Sequence, residues 1–318
     1  MTRHSAGRRL LRWCPLALVA IALAACSGGA HRSAGKGAEA AGFPLRIAAA
    51  NGTVTIPRLP RRIVSLSATA TEDIYAVGAG GQVVAVDAYS TYPPQAPRTQ
   101  LTETSLNVEA IAKYRPELVV LAEDTNHIVS QLRKLAIPVL VEPAASDLPA
   151  AYLEIDQLGQ ATGHAAAAAQ VVDRIKSGLA AIVSATPRPR KPIRVYHELE
   201  PTFYSATSHT FIGQIYSMLG LQNIADGAHL SGPYPQLSDE YIIAADPNLI
   251  VLADTVCCKQ SAATVAARSG WRNIAAVKSG AIVPVNDSIA SQWGPRIVIF
   301  ARTIAAEVRR LEERERSP

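Results

Sequence analysis

The sequence predicts an α/β protein with two Rossmann-like lobes joined by a single long, rigid α-helix. Short apolar runs rich in β-branched residues alternate with helical segments in both halves of the 318-residue chain. A stretch without such runs, residues 149–186, separates the halves. Residues 109–122 and 240–253 repeat one helix–Pro–strand pattern, which indicates two related halves.

The first half contains four apolar runs that predict strands, each bounded by Gly or Pro: 62–66, 83–86, 118–121 and 139–141. Helices are predicted between the strands at 71–77, 108–114 and 129–135. Strands that alternate with helices are typical of parallel βαβ units.

Two helices are predicted in the central stretch, at 151–160 and 164–184. The second would be about 30 Å long at 1.5 Å per residue. Three prolines that follow it, Pro187, Pro189 and Pro192, end the helix. We therefore divide the folded part into an N-terminal lobe, a linker helix and a C-terminal lobe: residues 45–160, 161–190 and 191–318.

The second half resumes the alternation, with strands predicted at 193–196, 249–252 and 282–285 and helices at 211–219, 238–245 and 295–314. Seven of the fourteen positions in the repeated segments are identical, including Glu109 and Glu240. Two lobes of this kind leave a cleft between them. Ligands of open α/β sheets bind at the carboxyl ends of the strands.

An apolar run at the N terminus, residues 16–25, stops at Cys26 and follows four arginines. A membrane-spanning helix needs about 20 apolar residues, so this run fits the core of a secretory signal instead. Leu23-Ala24-Ala25-Cys26 resembles the bacterial lipobox. We predict a signal peptide at 1–25, lipidation of Cys26, a tether at 26–44 and a lipid anchor on the outer face of the cell membrane. The alternative is a plain signal peptide with an incidental cysteine.

Loss of residues 1–25 removes four of the 31 basic residues and none of the 26 acidic residues, so the mature chain is nearly neutral. This argues against nucleic acid as the main partner. The cysteines beyond the lipobox are Cys257 and Cys258, which are adjacent. A vicinal disulfide, a reactive thiolate and two inert thiols all remain open.

Motifs of catalysis and metal binding are missing from the sequence: it has no GxSxG, no P-loop and no HExxH. We therefore predict no catalytic residues, no cofactor and no enzymatic activity. The alternatives are a zinc or manganese receptor whose site is assembled in space, and a cleft enzyme.

Five segments, at 61–78, 83–96, 107–121, 232–238 and 271–285, resemble the extracytoplasmic solute-binding proteins of bacterial ABC importers for ferric siderophores, haem and cobalamin. The resemblance covers about residues 45–310. It implies the class III periplasmic binding protein fold. It also implies a monomer that delivers a small-molecule ligand to a permease dimer.

Two segments, VDAYSTYPP and GPYPQLS, look most like the cobalamin-binding branch and match its aromatic ligand contacts at Tyr89 and Tyr234. Aromatic faces suit a broad, flat corrin. Acidic residues stand where that branch carries tryptophan, at Glu103, Glu123 and Asp124, so a ferric siderophore and haem stay open as ligands. Further expected ligand contacts are Tyr204, His197, Trp293 and Arg296.

The resemblance also implies that one surface glutamate on each lobe meets arginines of the permease. We match these glutamates to Glu72 and Glu240. Carboxylate–arginine pairs are strong and geometrically specific. Each glutamate also follows a Thr or Ser closely, so the alternative is a first-turn acid that stabilises its own helix.

Overall fold

The structure is a computed structural model that describes residues 42–102 and 106–316. These residues belong to one compact unit, Glu39–Pro318. The predicted signal peptide, Cys26, most of the tether and Glu103 lie outside the described residues. Among the helices within them, none has the length and apolar character required to cross a membrane.

The N-terminal lobe begins with an antiparallel hairpin, β1 (Leu45–Ala49) and β2 (Gly52–Ile56). Four parallel strands follow: β3 (Ile63–Leu66), β4 (Val83–Val86), β5 (Leu118–Leu121) and β6 (Val139–Val141). They are ordered β4-β3-β5-β6. Its helices are α1 (Ala68–Ala76), α2 (Val108–Ala112) and α3 (Ile128–Lys134). Continuous apolar runs suit these strands because helices cover both faces of a parallel sheet.

Two helices connect the lobes, α4 (Leu148–Ala161) and α5 (Ala165–Ser184). They pack against each other where Gly159 of α4 meets Ala168 of α5. A Cβ atom at Gly159 would lie 2.2 Å from that of Ala168, so the close approach requires glycine. The predicted linker helix is therefore braced along its length by the last helix of the N-terminal lobe.

The C-terminal lobe has a second parallel sheet of four strands: β7 (Arg194–Glu198), β8 (Gln222–Asn223), β9 (Leu249–Leu252) and β10 (Ile282–Pro284). The order is β8-β7-β9-β10, the same topology as the first sheet. Helices of this lobe are α6 (Phe211–Met218), α7 (Asp239–Ala245), α8 (Ala262–Ala266), α9 (Ala275–Ser279), α10 (Asp287–Ala290) and α11 (Ile297–Arg316). The repeated segments supply α2–β5 and α7–β9, equivalent positions in the two lobes.

The hydrophobic core is continuous between the lobes. One cluster contains Val120 of β5, Ile155 of α4, Val172 of α5, Val195 of β7 and Phe300 of α11. The C-terminal helix α11 also packs directly on α5. The two sheets are therefore held on a shared helical layer, which suits a rigid connection between lobes.

Most element predictions are confirmed, and β4, β5, β6 and β9 match residue by residue. Helix α1 begins three residues before the predicted start because the Ser67 hydroxyl caps it, accepting a hydrogen bond from the Ala70 N–H. The hairpin β1–β2 was missed, although its turn contains Asn51-Gly52, a strong hairpin signal. Strand β8 was also missed, since it is only two residues long.

Candidate functional site

The two sheets share a topological feature that marks a ligand site. In each sheet, the first and third strands along the chain are neighbours, namely β3 with β5 and β7 with β9. The connections leave such a pair toward opposite faces of the sheet, and a crevice opens at their carboxyl ends. Loops that follow β4, β7, β8, β9 and β10 supply the candidate residues.

Tyr89 lies in the loop after β4 and is anchored through its backbone. The Asp87 carboxylate accepts hydrogen bonds from the N–H groups of Tyr89 (3.1 Å) and Ser90 (2.6 Å). The Ser90 hydroxyl lies 3.0 Å from that of Thr71 in α1. The Tyr89 side chain itself is 63% exposed. A fixed backbone thus presents a free aromatic ring at the carboxyl edge of the N-terminal sheet.

The structure brings Tyr204 and Tyr234 together. Residues 203–207 and 233–237 form an antiparallel ladder, in which Ser205 N–H donates to Pro235 O and Thr207 N–H donates to Pro233 O, both at 2.9 Å. Side chains alternate along extended backbone, so Tyr204 and Tyr234 share one face of this ladder. Tyr204 is exposed, whereas Tyr234 is half-buried against the core. Both tyrosines remain predicted ligand contacts.

The loop after β9, residues 255–259, contains a disulfide between Cys257 and Cys258 and is called the disulfide loop below. Beneath it, the buried Glu198 carboxylate accepts two hydrogen bonds from Arg268, at 2.5 and 2.6 Å. Burial, followed by the charge of Glu198, raises the pKa of Asp254 to about 7. The disulfide loop therefore lies next to polar side chains, and the Glu198–Arg268 pair holds them in place.

Arg296 joins the two lobes instead of facing an open cleft. Its guanidinium donates to the Glu72 carboxylate of α1, with distances of 2.7 and 2.8 Å. The same group lies over the ring of Tyr92, 4.1 Å from its centroid. Nearby, the Trp293 indole N–H donates to Glu154 of α4. The segment before α11 thus fastens the C-terminal lobe to the N-terminal one, and a ligand role for Arg296 and Trp293 stays a prediction.

Two sequence predictions fail on burial. Glu72 was expected at the surface for docking, but it is 2% exposed and paired with Arg296. His197 was expected to contact ligand, but it is completely buried, with Nδ1 2.6 Å from the hydroxyl of Tyr216. Burial lowers the pKa of His197 to about 3, so the ring is a neutral core residue.

Glu109, unlike the buried Glu72, is an exposed counterpart of Glu240 in the N-terminal lobe, an equivalence that the docking prediction did not use. Both are the second residue of a short helix, α2 capped by Asn107 and α7 capped by Ser238. Both side chains are exposed. The signal was present in the repeated segments, where these two glutamates occupy the same position.

A cluster of buried acids surrounds the interlobe contact: Glu72, Asp73, Glu142 and Glu154, called the acid cluster below. Neither carboxylate oxygen of Asp73 has a hydrogen-bond partner among the described residues. Burial raises the pKa of all four groups, and that of Glu142 reaches about 7. Among the described residues, the charge and hydrogen bonds of Arg296 oppose this effect of burial on the pKa of Glu72.

Across residues 42–102 and 106–316, no group of three or more His, Cys, Asp or Glu side chains is placed to hold a metal ion. Two of the surface cavities lie on the C-terminal lobe. One of about 380 Å³ lies beside Thr207 and Pro233. These residues belong to the antiparallel ladder that carries Tyr204 and Tyr234, called the tyrosine ladder below. Another of about 560 Å³ lies at the opposite, amino-terminal edge of the C-terminal sheet, beside Lys191 and Arg194, and contains no predicted ligand contact.

Residues 63–287 match the family model described as periplasmic binding protein. An ABC transporter substrate-binding lipoprotein of Bacillus subtilis, YvrC, is 30% identical over 307 residues, which cover 93% of this chain and 96% of YvrC. A cobalamin-binding protein of Halobacterium salinarum is 34% identical over 264 residues, covering 79% of this chain and 70% of that protein.

Solved structures show the same fold. The periplasmic vitamin B12 binding protein BtuF of Vibrio cholerae has a TM-score of 0.64 and 23% identity, and the match covers 79% of this chain and 97% of BtuF. The periplasmic haem-binding protein HutB of Vibrio cholerae has a TM-score of 0.68 and 25% identity, with 77% and 97% coverage.

The buried Arg296–Glu72 pair generates a prediction on stability. Arg296→Met should lower the free energy of unfolding by about 3 kcal/mol, because it leaves Glu72 buried without its cation. The double change Glu72→Leu with Arg296→Met should recover most of the loss. Denaturant unfolding at pH 7 measures both. Lys191→Ala, which removes the exposed Lys191–Glu315 pair, should have a much smaller effect; equal losses in the two single variants would contradict the assignment.

The acid cluster generates a prediction on pH. The pKa of Glu142 is about 7 in the folded protein against a usual 4.5, so the folded state binds the proton more tightly. The resulting stabilisation is present below pH 4.5 and is lost as pH rises through 7. Glu142→Gln should therefore gain stability relative to the native protein between pH 5 and 8, by at most about 3 kcal/mol. Unfolding curves at several pH values test this, and a constant difference would refute it.

Proposed function

The chain belongs to the periplasmic binding protein family, and from this premise we propose that it is the extracytoplasmic substrate-binding component of an ABC importer and that its cargo is a corrinoid. The family consists of solute-binding proteins, which capture a ligand and hand it to a permease. Relatives named as cobalamin-binding and vitamin B12-binding proteins support the choice of cargo.

The observation that carries the proposal is the placement of three tyrosines at the carboxyl edges of the two sheets. Tyr89 is exposed on one lobe, and Tyr204 and Tyr234 share a face on the other. A corrin offers two broad apolar faces and an amide-rich rim. Aromatic rings cover such faces at low entropic cost, and tyrosine hydroxyls can bond to the amides.

Attachment to the membrane through a lipid on Cys26 is part of the proposal. The lipobox-like residues 23–26 support it, as does the naming of YvrC as a lipoprotein. The residues concerned lie outside those that the structure describes. Labelling cells with a radioactive fatty acid tests the anchor, since Cys26→Ala should abolish incorporation.

We propose that Glu109 and Glu240 dock to the permease. Glu109 takes the role that the sequence analysis gave to Glu72. Each is exposed in the first turn of an equivalent helix, one on each lobe. Equivalent acids on two similar lobes match the two-fold symmetry of a permease dimer. Carboxylates in this position can form bidentate bonds with arginines of the partner.

Ligand binding is tested by calorimetry of the full-length protein with cyanocobalamin, haem and a panel of ferric siderophores. We expect cyanocobalamin to bind, and Tyr89→Ala and Tyr234→Ala each to weaken binding about tenfold, because each removes an aromatic contact. Tyr114→Ala is the control, since Tyr114 lies at the end of α2, beside Arg62 at the amino end of the sheet. Tight binding of haem or a siderophore with none of cyanocobalamin would overturn the corrinoid assignment.

Docking is tested by uptake of labelled cyanocobalamin in cells that express this protein as their only substrate-binding component. Glu109→Ala combined with Glu240→Ala should abolish most uptake while the Kd for the ligand stays unchanged, because the acids contact the permease and not the cargo. Asp173→Ala, at an exposed position on α5, is the matched control. Normal uptake by the double variant would refute the docking pair.

A further inference from the structure

We propose that the disulfide loop is a preformed ligand contact, which presents Val256 and the Cys257–Cys258 disulfide to the apolar face of a flat macrocycle. The inference rests on the proposed function and extends it. It assigns to this loop a contact that the three tyrosines do not supply.

The position of the loop favours this role. It follows β9 directly, and β9 neighbours β7 at the point where the chain connections diverge. The two strand ends are tied together, because Ala253 N–H donates to Glu198 O at 2.8 Å. Tyr204 lies in the loop that follows β7. The disulfide and the C-terminal tyrosines therefore occupy the same edge of the sheet.

The loop is fixed by hydrogen bonds within the protein. One carboxylate, that of Asp287 in α10, accepts hydrogen bonds from Val256 N–H (2.8 Å), Cys257 N–H (2.7 Å) and the Thr255 hydroxyl (3.2 Å). Cys258 N–H donates to Asp254 O at 3.2 Å. A surface held in this way loses little conformational entropy when a ligand binds, which increases affinity.

Val256 and Cys257 expose apolar groups, whereas Lys259 at the end of the loop exposes a charged one. Val256 is 53% exposed, and Cys257 is also exposed. A disulfide carries no charge and no hydrogen-bond donor, and sulfur is polarisable enough to pack well on π systems. Their backbone N–H groups are already bonded to Asp287, so polar contact with a ligand is not what these two residues offer.

The Asp287 carboxylate and the hydrogen bonds that it accepts are called the clamp. The clamp connects the disulfide loop to the interlobe contact. Ser288 follows Asp287 in α10, and its hydroxyl accepts a hydrogen bond from Arg296 at 3.2 Å. Arg296 in turn binds Glu72 and lies over Tyr92 of the N-terminal lobe. The loop is thus attached to the segment through which the C-terminal lobe meets the other lobe. This places it on the side where a ligand held by both lobes would lie.

The first test compares affinities for cyanocobalamin by calorimetry of the full-length protein. Cys257→Ala with Cys258→Ala, and separately Val256→Asp, should each weaken binding about tenfold. Asp287→Asn, which keeps the disulfide but loosens the clamp, should weaken binding less. Leu135→Asp is the matched control, because Leu135 is a similarly exposed apolar residue, 52%, at the end of α3. Thermal unfolding of each variant shows whether it is folded.

The second test needs no variant. A phosphine reductant converts the disulfide to two thiols, which are counted by alkylation and mass spectrometry of the peptide that carries Cys257 and Cys258. Bound cyanocobalamin should slow this reduction about fivefold or more, because it covers the sulfurs. An unchanged reduction rate, with affinities of the variants within twofold of the native protein, overturns the disulfide contact and leaves the proposed function standing. Failure of the native protein to bind cyanocobalamin overturns both.

Discussion

The buried contact between Arg296 and Glu72 fixes how the two lobes are arranged. Arg296 follows the last strand of the C-terminal sheet, and Glu72 lies in the first helix of the N-terminal lobe. A carboxylate that is 2% exposed is stable in its charged form only with a cation beside it. The pair therefore helps to hold the two lobes in one arrangement.

The surroundings of this pair hold more acids than one cation can balance. Asp73 and Glu154 are nearly devoid of solvent contact, and Trp293 supplies a single hydrogen bond to the latter. Such an excess is costly for the fold, and proteins keep costly polar groups most often near functional sites. Gly294 of the same segment approaches Asp73 closely, since a Cβ atom there would lie 3.0 Å from a carboxylate oxygen of Asp73.

The similarity of the lobes suits the symmetric partner of the proposed function. The sheets share one strand order, and Glu109 and Glu240 occupy equivalent helices. The carboxyl edges of the two sheets, where the ligand is proposed to bind, are different, however. One lobe offers Tyr89 on a loop, whereas the other offers a tyrosine ladder and a disulfide loop. In the proposed function, the permease would recognise what the lobes have in common, and the cargo would contact the features in which they differ.

The sequence by itself determined the succession of strands and helices, the duplicated lobes and the tyrosines at strand ends, because periodicity and chain order carry that information. It could not orient the side chains of fully buried elements. Six consecutive residues of α1 are buried, from Thr69 to Ile74, so no polar face indicates that Glu72 turns inward. Strand β7 is covered on both faces, so alternation gives no sign that His197 lies in the core. Only the tertiary packing decided both, because the partners of these residues are distant in the chain. The segment before α11 brings Arg296 to Glu72, and α6 and α11 bring Tyr216 and Phe300 to His197.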